Sequence, residues 1–319
     1  MNFLKLIRYN NLLFIFLIQG LMAGAIIAPL LASYGMSDSI PFTELVLLTL
    51  TTLLLAAGGY SINDYFDYKT DRINKPERVI PDKKISTLQA LKTYRYLTGG
   101  ALISGFGLAW CLQSISLAFF FPAVATLLWY YSAALKRMPL IGNVLVAALS
   151  ALSIISTAWV TIAHLQIGYH DLIFETAIPG ELFRLVSFFT LFAFLLNLIR
   201  ELVKDAEDLK GDELTGARTL PVVAGLDITR YLCIALILIT MVMLTFFFYR
   251  IVPYTHWSGA IYLLVSTVFP LLWLGFIILK ANLPEEFRKA SKITKVIMLS
   301  GSAYAIVWLL YFNHQYSLF

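Results

Sequence analysis

Charge is scarce in this chain: Asp, Glu, Lys and Arg make up 13% of its 319 residues, against about 25% in an ordinary soluble domain. With 59% hydrophobic residues and a mean hydropathy of +0.78, this excludes a typical water-soluble fold and makes a membrane the first expectation. Cysteine is nearly absent. Cys111 and Cys233 both fall in apolar runs, so neither a disulfide framework nor a zinc site is expected. Long polar stretches are missing too. The two longest, Asn63–Lys92 and Arg200–Arg230, are each too short for a separate soluble domain of the usual size, and a single unit over 1–319 is expected.

What the chain has in abundance is apolar runs of the length, about 20 residues, that crosses a hydrocarbon core. They lie near Leu12–Ala32, Thr43–Ile62, Tyr94–Leu112, Ile115–Leu135, Leu140–Ala163, Leu182–Ile199, Tyr231–Tyr249, Trp257–Leu279 and Lys295–Phe312. An all-α polytopic membrane protein with nine transmembrane helices follows. The first run is too long for a signal-peptide core and reads as a retained helix. Positively charged loops stay on the cytoplasmic side. With the N-terminus inside, 22 of the 24 Lys and Arg residues fall on inside loops, leaving Arg184 and Arg250 outside. The nine-span reading then puts the C-terminus outside. The formal net charge of +5 describes a membrane face near lipid headgroups rather than a nucleic-acid surface.

Two acidic clusters stand at the ends of apolar runs. The second run leads into Asn63-Asp64-Tyr65-Phe66-Asp67-Tyr68-Lys69-Thr70-Asp71, and the sixth into Lys204-Asp205-Ala206-Glu207-Asp208-Leu209-Lys210-Gly211-Asp212. Each places Asp at i, i+3 and i+7 and Lys at i+5. On a helix those three positions fall within roughly 60° of one another along about 10 Å of axis. Asp64, Asp67 and Asp71 then form one carboxylate stripe, and Asp205, Asp208 and Asp212 a second. Like charges this close repel and need cations. Mg²⁺ fits best, because it takes hard oxygen ligands and is usually held by one or two carboxylates together with substrate phosphates. Two opposed stripes could hold metal ions on both sides of one diphosphate and neutralise it as it leaves. The six aspartates are thus the candidate metal-binding and catalytic residues.

At these residues the sequence resembles the UbiA superfamily of membrane prenyltransferases, which carries an Asn-Asp-x-x-Asp-x-x-x-Asp motif and a second Asp-rich motif. Tyr131-Ser132-Ala133-Ala134-Leu135-Lys136-Arg137 is similar to a Tyr-Ser-x-x-Leu-Lys-Arg segment of that family, and Ile73-Asn74-Lys75-Pro76-Glu77-Arg78 continues the first motif as the family does. The run from Arg200 to Asp212, followed by Gly216-Ala217-Arg218-Thr219-Leu220-Pro221, is most like the digeranylgeranylglyceryl phosphate synthase branch. The family's Arg-Pro-x-Pro-(Ser/Ala)-Gly stretch is replaced here by Arg78-Val79-Ile80-Pro81-Asp82-Lys83. The resemblance implies a helical bundle around a central cavity and Mg²⁺-dependent transfer of a prenyl group, geranylgeranyl in that branch. An isoprenyl diphosphate is the donor and the acceptor is lipophilic. Asn63, Arg72, Arg78, Tyr131, Lys136, Arg137 and Lys204 are the candidate diphosphate-binding residues. Geranylgeranylglyceryl phosphate is the first acceptor and an aromatic quinone precursor such as 4-hydroxybenzoate the alternative.

Other classes fit less well. A transporter would place charges deep inside spans, whereas here they cluster at helix ends. A phosphatidyltransferase of the CDP-alcohol type would need an Asp-Gly-x-x-Ala-Arg stretch, which is absent. His164, His170, His256 and His314 all fall toward the outside face, so a base, if one is needed, is a carboxylate, the diphosphate or water. The aromatics near the motifs, Tyr65, Phe66, Tyr68, Tyr130 and Tyr131, could stabilise an allylic cation through their π faces.

Overall fold

A backbone that crosses hydrocarbon must satisfy its own hydrogen bonds, and a helix does so within a single segment. The computed structural model describes residues 2–36, 40–74 and 87–316, with side chains over 3–36, 40–68, 87–249 and 257–313. Every regular element among them is helical. They are α1 (Asn2–Leu6), α2 (Tyr9–Ser33, with a π-helical stretch at Met22–Ile27), α3 (Phe42–Asn74), α4 (Thr87–Cys111) and α5 (Ile115–Ala133). Then follow α6 (Ile141–Tyr169), α7 (Ile178–Thr215), α8 (Leu220–Leu263), α9 (Phe269–Lys280), α10 (Pro284–Ser302) and α11 (Tyr304–Tyr316).

Eight helical stretches among the described residues are long and apolar enough to cross a membrane, and they match eight of the nine expected spans. The ninth, Tyr94–Leu112, lies on α4, which is helical over 25 residues but less apolar. Lys92 and Arg95 sit in its first half, and of its four later glycines, Gly99, Gly100, Gly105 and Gly107, Gly105 lets Phe121 pack close, a Cβ there falling 2.9 Å from its ring. The spans near Tyr231–Tyr249 and Trp257–Leu279 double back on each other. Arg230 Nε donates to the carbonyl of Ala281 at 3.1 Å, and a Cβ on Gly275 would touch Ile234 at 3.4 Å.

Small residues let the helices approach closely, as is common where lipid offers no hydrophobic drive between them. Between α3 and α4, the Thr51 and Ser104 hydroxyls bond at 2.8 Å, and a Cβ on Gly58 would lie 2.7 Å from Thr98 Oγ1. Helix α7 is central, packing on α3, α6, α8 and α10. It stops where Gly216 adopts φ 71°, a left-handed cap in which Ala217 N–H donates to Asp212 O at 2.9 Å. Charged residues segregate to the two ends of the bundle. His164 meets Glu44 at 3.2 Å at one end, while Arg8 meets Asp64 at 2.8 Å at the other, and Lys136 contacts Asp67 beside it.

The turn from α5 to α6 is held by Gly142. A Cβ there would lie 2.6 Å from the Leu135 carbonyl oxygen and 2.9 Å from Lys136 Cα, so the obstacle is backbone and cannot rotate away. Gly142→Ala is expected to destabilise the protein by about 1–3 kcal/mol and to displace Lys136. A lowered melting temperature in detergent checks this, and an unchanged one counts against it.

Candidate active site at the charged end of the bundle

The first acidic stripe continues a helical face. Thr52, Leu55, Ala56, Gly59, Tyr60, Asn63, Asp64 and Asp67 recur on α3 at the three- and four-residue spacing of one helix side, and all border a single cavity of about 640 Å³. Near Asp67 the wall is charged. Further in it is mainly apolar, with Phe14, Ile15, Val124, Leu128 and Leu149.

Asp64 and Asp67 of this stripe each have a cation from another element. Arg8 Nη2 reaches Asp64 Oδ1 at 2.8 Å, and its guanidinium lies 4.8 Å from the centre of the Tyr60 ring. Arg8 itself has φ 51°, a left-handed conformation uncommon outside glycine. It forms the bend between α1 and α2. Lys136 Nζ donates to Asp67 Oδ2, which also accepts from Asn63 Nδ2 at 2.7 Å.

The second stripe is turned relative to expectation. The cavity face of α7 is Ala193, Asn197, Arg200, Glu201, Lys204 and Asp208. Of the three aspartates expected to face the cavity together, Asp208 does. Asp205 lies one position off that face and accepts from Asn143 Nδ2 of α6 at 2.7 Å. Asp212 is buried and accepts from Thr219 Oγ1 at 3.0 Å, linking the end of α7 to the start of α8. In the place of a third acid stands Glu201, bonded to Arg200 at 2.8 Å and to Lys204 at 2.8 Å.

Asn63, Asp64, Asp67, Tyr131, Lys136, Lys204 and Asp208 therefore meet at one cavity. Arg137 is not on its wall, and its carbonyl accepts from Arg218 N–H at 2.9 Å. The side chains of Asp71 and Arg72, and Arg78 as a whole, lie outside the described residues. Of the aromatics near the motifs, Tyr131 borders the cavity, while Phe66 packs edge-on against Tyr65 and Trp129.

Several cavity residues were not singled out from sequence: Arg8, Tyr60, Asn11, Arg200, Glu201 and Lys295. For Arg200 and Glu201 a signal existed, since they precede Asp208 by two turns on the same face. Arg8 and Lys295 read only as members of the positive-inside set. Among the described residues, no group of three His, Cys, Asp or Glu could by itself hold a metal ion. The donors present are hard carboxylate oxygens, Asp64 and Asp67 on α3 and Asp208 on α7. That set suits a cation which takes few protein ligands and completes its shell with water and phosphate.

Residues 21–314 match the model of the UbiA prenyltransferase family. The chain belongs to that family. UbiA membership makes it a membrane prenyltransferase and an integral membrane enzyme. Among similar UbiA proteins, the digeranylgeranylglyceryl phosphate synthase of Korarchaeum cryptofilum is 35% identical over 270 residues, covering 83% of this chain and 85% of its own. That of Saccharolobus solfataricus is 32% identical over 313 residues, covering 97% and 96%. A solved structure from work on digeranylgeranylglyceryl phosphate synthase in membranes aligns with a TM-score of 0.64 at 22% identity, covering 98% of each chain. A UbiA homologue from Archaeoglobus fulgidus, bound to DMAPP and Mg²⁺, aligns at 0.58 and 16% identity, covering 96% of this chain and 99% of its own. Both solved structures share the UbiA fold with this chain.

Glu201 balances two cations inside this UbiA bundle. Glu201→Ala leaves Arg200 and Lys204 facing each other with no carboxylate between them, and breaking such a pair by removing one partner typically costs about 3–5 kcal/mol. The expected result is a clear drop in melting temperature, larger than for Glu201→Gln, which keeps the shape and an acceptor oxygen. Equal stability of Glu201→Ala and the parent chain contradicts this.

Proposed function

We propose that the chain moves a geranylgeranyl group from its diphosphate to the free hydroxyl of geranylgeranylglyceryl phosphate, with Mg²⁺ as cofactor, acting as one unit over residues 1–319. The observation that carries this is the single cavity whose charged mouth holds Asp64, Asp67 and Asp208 among Arg8, Lys136 and Lys204, and whose interior is mainly apolar. The named relatives supply the acceptor, since the most similar ones cited above are digeranylgeranylglyceryl phosphate synthases.

In this reading Asp64, Asp67 and Asp208, with Asp71 from the same stripe, hold Mg²⁺ against the donor diphosphate, and Asp205 and Asp212 position the second stripe through Asn143 and Thr219. When bound, the metal supplies charge neutralisation of the leaving diphosphate. Lys136, Lys204 and Arg8 add charge-assisted hydrogen bonds to its oxygens, and Asn63 offers a neutral amide donor. The bond between C1 and the bridging oxygen breaks, and the electron pair leaves with diphosphate. The acceptor oxygen bonds to C1, and its proton passes to diphosphate or water. The apolar wall keeps water from the allylic cation, and Tyr131 and Tyr60 border the same cavity. The mouth lies at the cytoplasmic face, because the cavity gathers Lys5, Arg8, Lys136, Arg200, Lys204 and Lys295 at one end of the bundle.

Purified protein incubated with geranylgeranyl diphosphate is expected to convert geranylgeranylglyceryl phosphate to the doubly prenylated lipid, with no product in chelator. Asp67→Asn and Asp208→Asn are expected to lower kcat by about 10²–10³, the effect of losing one electrostatic partner of a developing charge. Product on 4-hydroxybenzoate alone overturns the acceptor, and full activity of both variants overturns the metal–diphosphate mechanism.

Orientation has its own test. Cys111 is exposed and Cys233 buried, and Cys111 ends α4 away from the cavity mouth. A membrane-impermeant maleimide added to intact cells is expected to label Gln113→Cys, in the turn just past that span. Labelling only after the membrane is opened reverses the orientation.

A further inference from the structure

The cavity is deep enough to measure a tail. Its wall runs on α3 from Asp67 to Thr52 and on α7 from Asp208 to Ala193, fifteen residue steps in each case, or about 22 Å of helix at about 1.5 Å per step. A four-isoprene tail has sixteen main-chain carbons. If each bond of about 1.5 Å advances an extended chain by about 1.25 Å, they span about 20 Å, and a fifth unit adds about 5 Å.

The inner end of this channel is braced by a polar residue that does not line it. Gln19 of α2 is fully buried. Its Nε2 donates to the Ser153 carbonyl on α6 at 2.9 Å, and Thr52 Oγ1 on α3 donates to its Oε1 at 2.9 Å. Thr52, Ser153 and the adjacent Ile18 are cavity residues, so the amide ties together three helices at the last cavity residues of α2 and α3, with Ser156 one turn further along α6. Behind it lies packed core: Met22, Ile26, Ala158 and Val186. Apolar side chains alone could yield to a longer tail by changing rotamers. Such a bridge resists, because parting it leaves the Gln19 amide unpaired in hydrocarbon, although Thr52 falls back on the Leu48 and Thr49 carbonyls of its own helix.

We propose that the Gln19–Thr52–Ser153 bridge is the stop against which the donor's tail ends, so that it sets the longest isoprenoid diphosphate the enzyme accepts. This rests on the reading of the cavity as the prenyl-donor channel.

The test is kcat/KM of the purified full chain for three-, four- and five-isoprene diphosphates with one acceptor. Gln19→Ala is expected to raise the five-to-four ratio about tenfold or more, the discrimination that a few methylenes in an apolar pocket supply. Ala56→Phe, which puts bulk on the α3 wall short of the floor, is expected to lower the four-to-three ratio by about the same factor. Ratios within one variant do not respond to a general loss of folded protein. Should Gln19→Ala fail to fold, Gln19→Met keeps the volume, gives up both hydrogen bonds and is read in the same way. An unchanged five-to-four ratio in whichever Gln19 variant folds overturns the proposal. A parent chain inert toward all three diphosphates defeats the donor-channel reading instead, which is a different result.

Discussion

Asp64 and Asp67 stand where the hydrocarbon ends, and neither can hold its charge there alone. At low dielectric an unpaired carboxylate is far more costly than in water, so each draws a cation from a different part of the chain: Arg8 from the bend between α1 and α2, Lys136 from the turn between α5 and α6. These two contacts do more than neutralise. They fasten the chain's first bend and the α5–α6 turn to α3, and they gather the charged mouth of the cavity around one helix. On α7 a further acid is neutralised, Glu201 between the two bases Arg200 and Lys204.

That balance also explains why the mouth suits an anionic donor. A diphosphate brings negative charge, and its metal brings positive charge, to a place already arranged as alternating pairs. On the proposed function, Asp64 and Asp67 would hold the metal that comes with the diphosphate, and Arg8 and Lys136 beside them offer cations to its oxygens. Preformed dipoles and charges of this kind are the main way an enzyme stabilises a leaving group without paying for rearrangement during the reaction.

Much of this was legible in the sequence because charge is rare in a membrane chain and therefore conspicuous. The helical class and eight of the nine spans followed from runs of apolar residues, and the shared face of Asp64 and Asp67 on α3 followed from their spacing, the side chain of Asp71 lying outside the described residues. The stripe on α7 was legible only in part. Three aspartates at i, i+3 and i+7 share a side of a helix, but spacing alone does not say which residue of that side points inward. Asn143 draws Asp205 toward α6 and Thr219 draws Asp212 toward α8, which leaves Glu201, Lys204 and Asp208 facing the cavity. Partners lying 62 and seven residues away in the chain decide this register. Arg8 was hidden for a different reason, since a basic residue beside the first span is what topology alone would place there.

The inner end of the cavity was illegible for a deeper reason. Chemistry at the mouth depends on which groups are present, and groups can be read from a sequence. Tail length depends on where empty space stops, and that is a property of packing between α2, α3 and α6. A lone Gln19 within an apolar run reads as tolerable polarity in a bundle interior. Only when its amide is seen to join Thr52 and Ser153, which border the inner end of the cavity, does the same residue become a boundary. The two ends of one site are thus specified by different physics, neutralisation at the mouth and exclusion of volume at the floor. On that proposal, the floor of this cavity can change the tail it accepts while the charged mouth keeps the reaction.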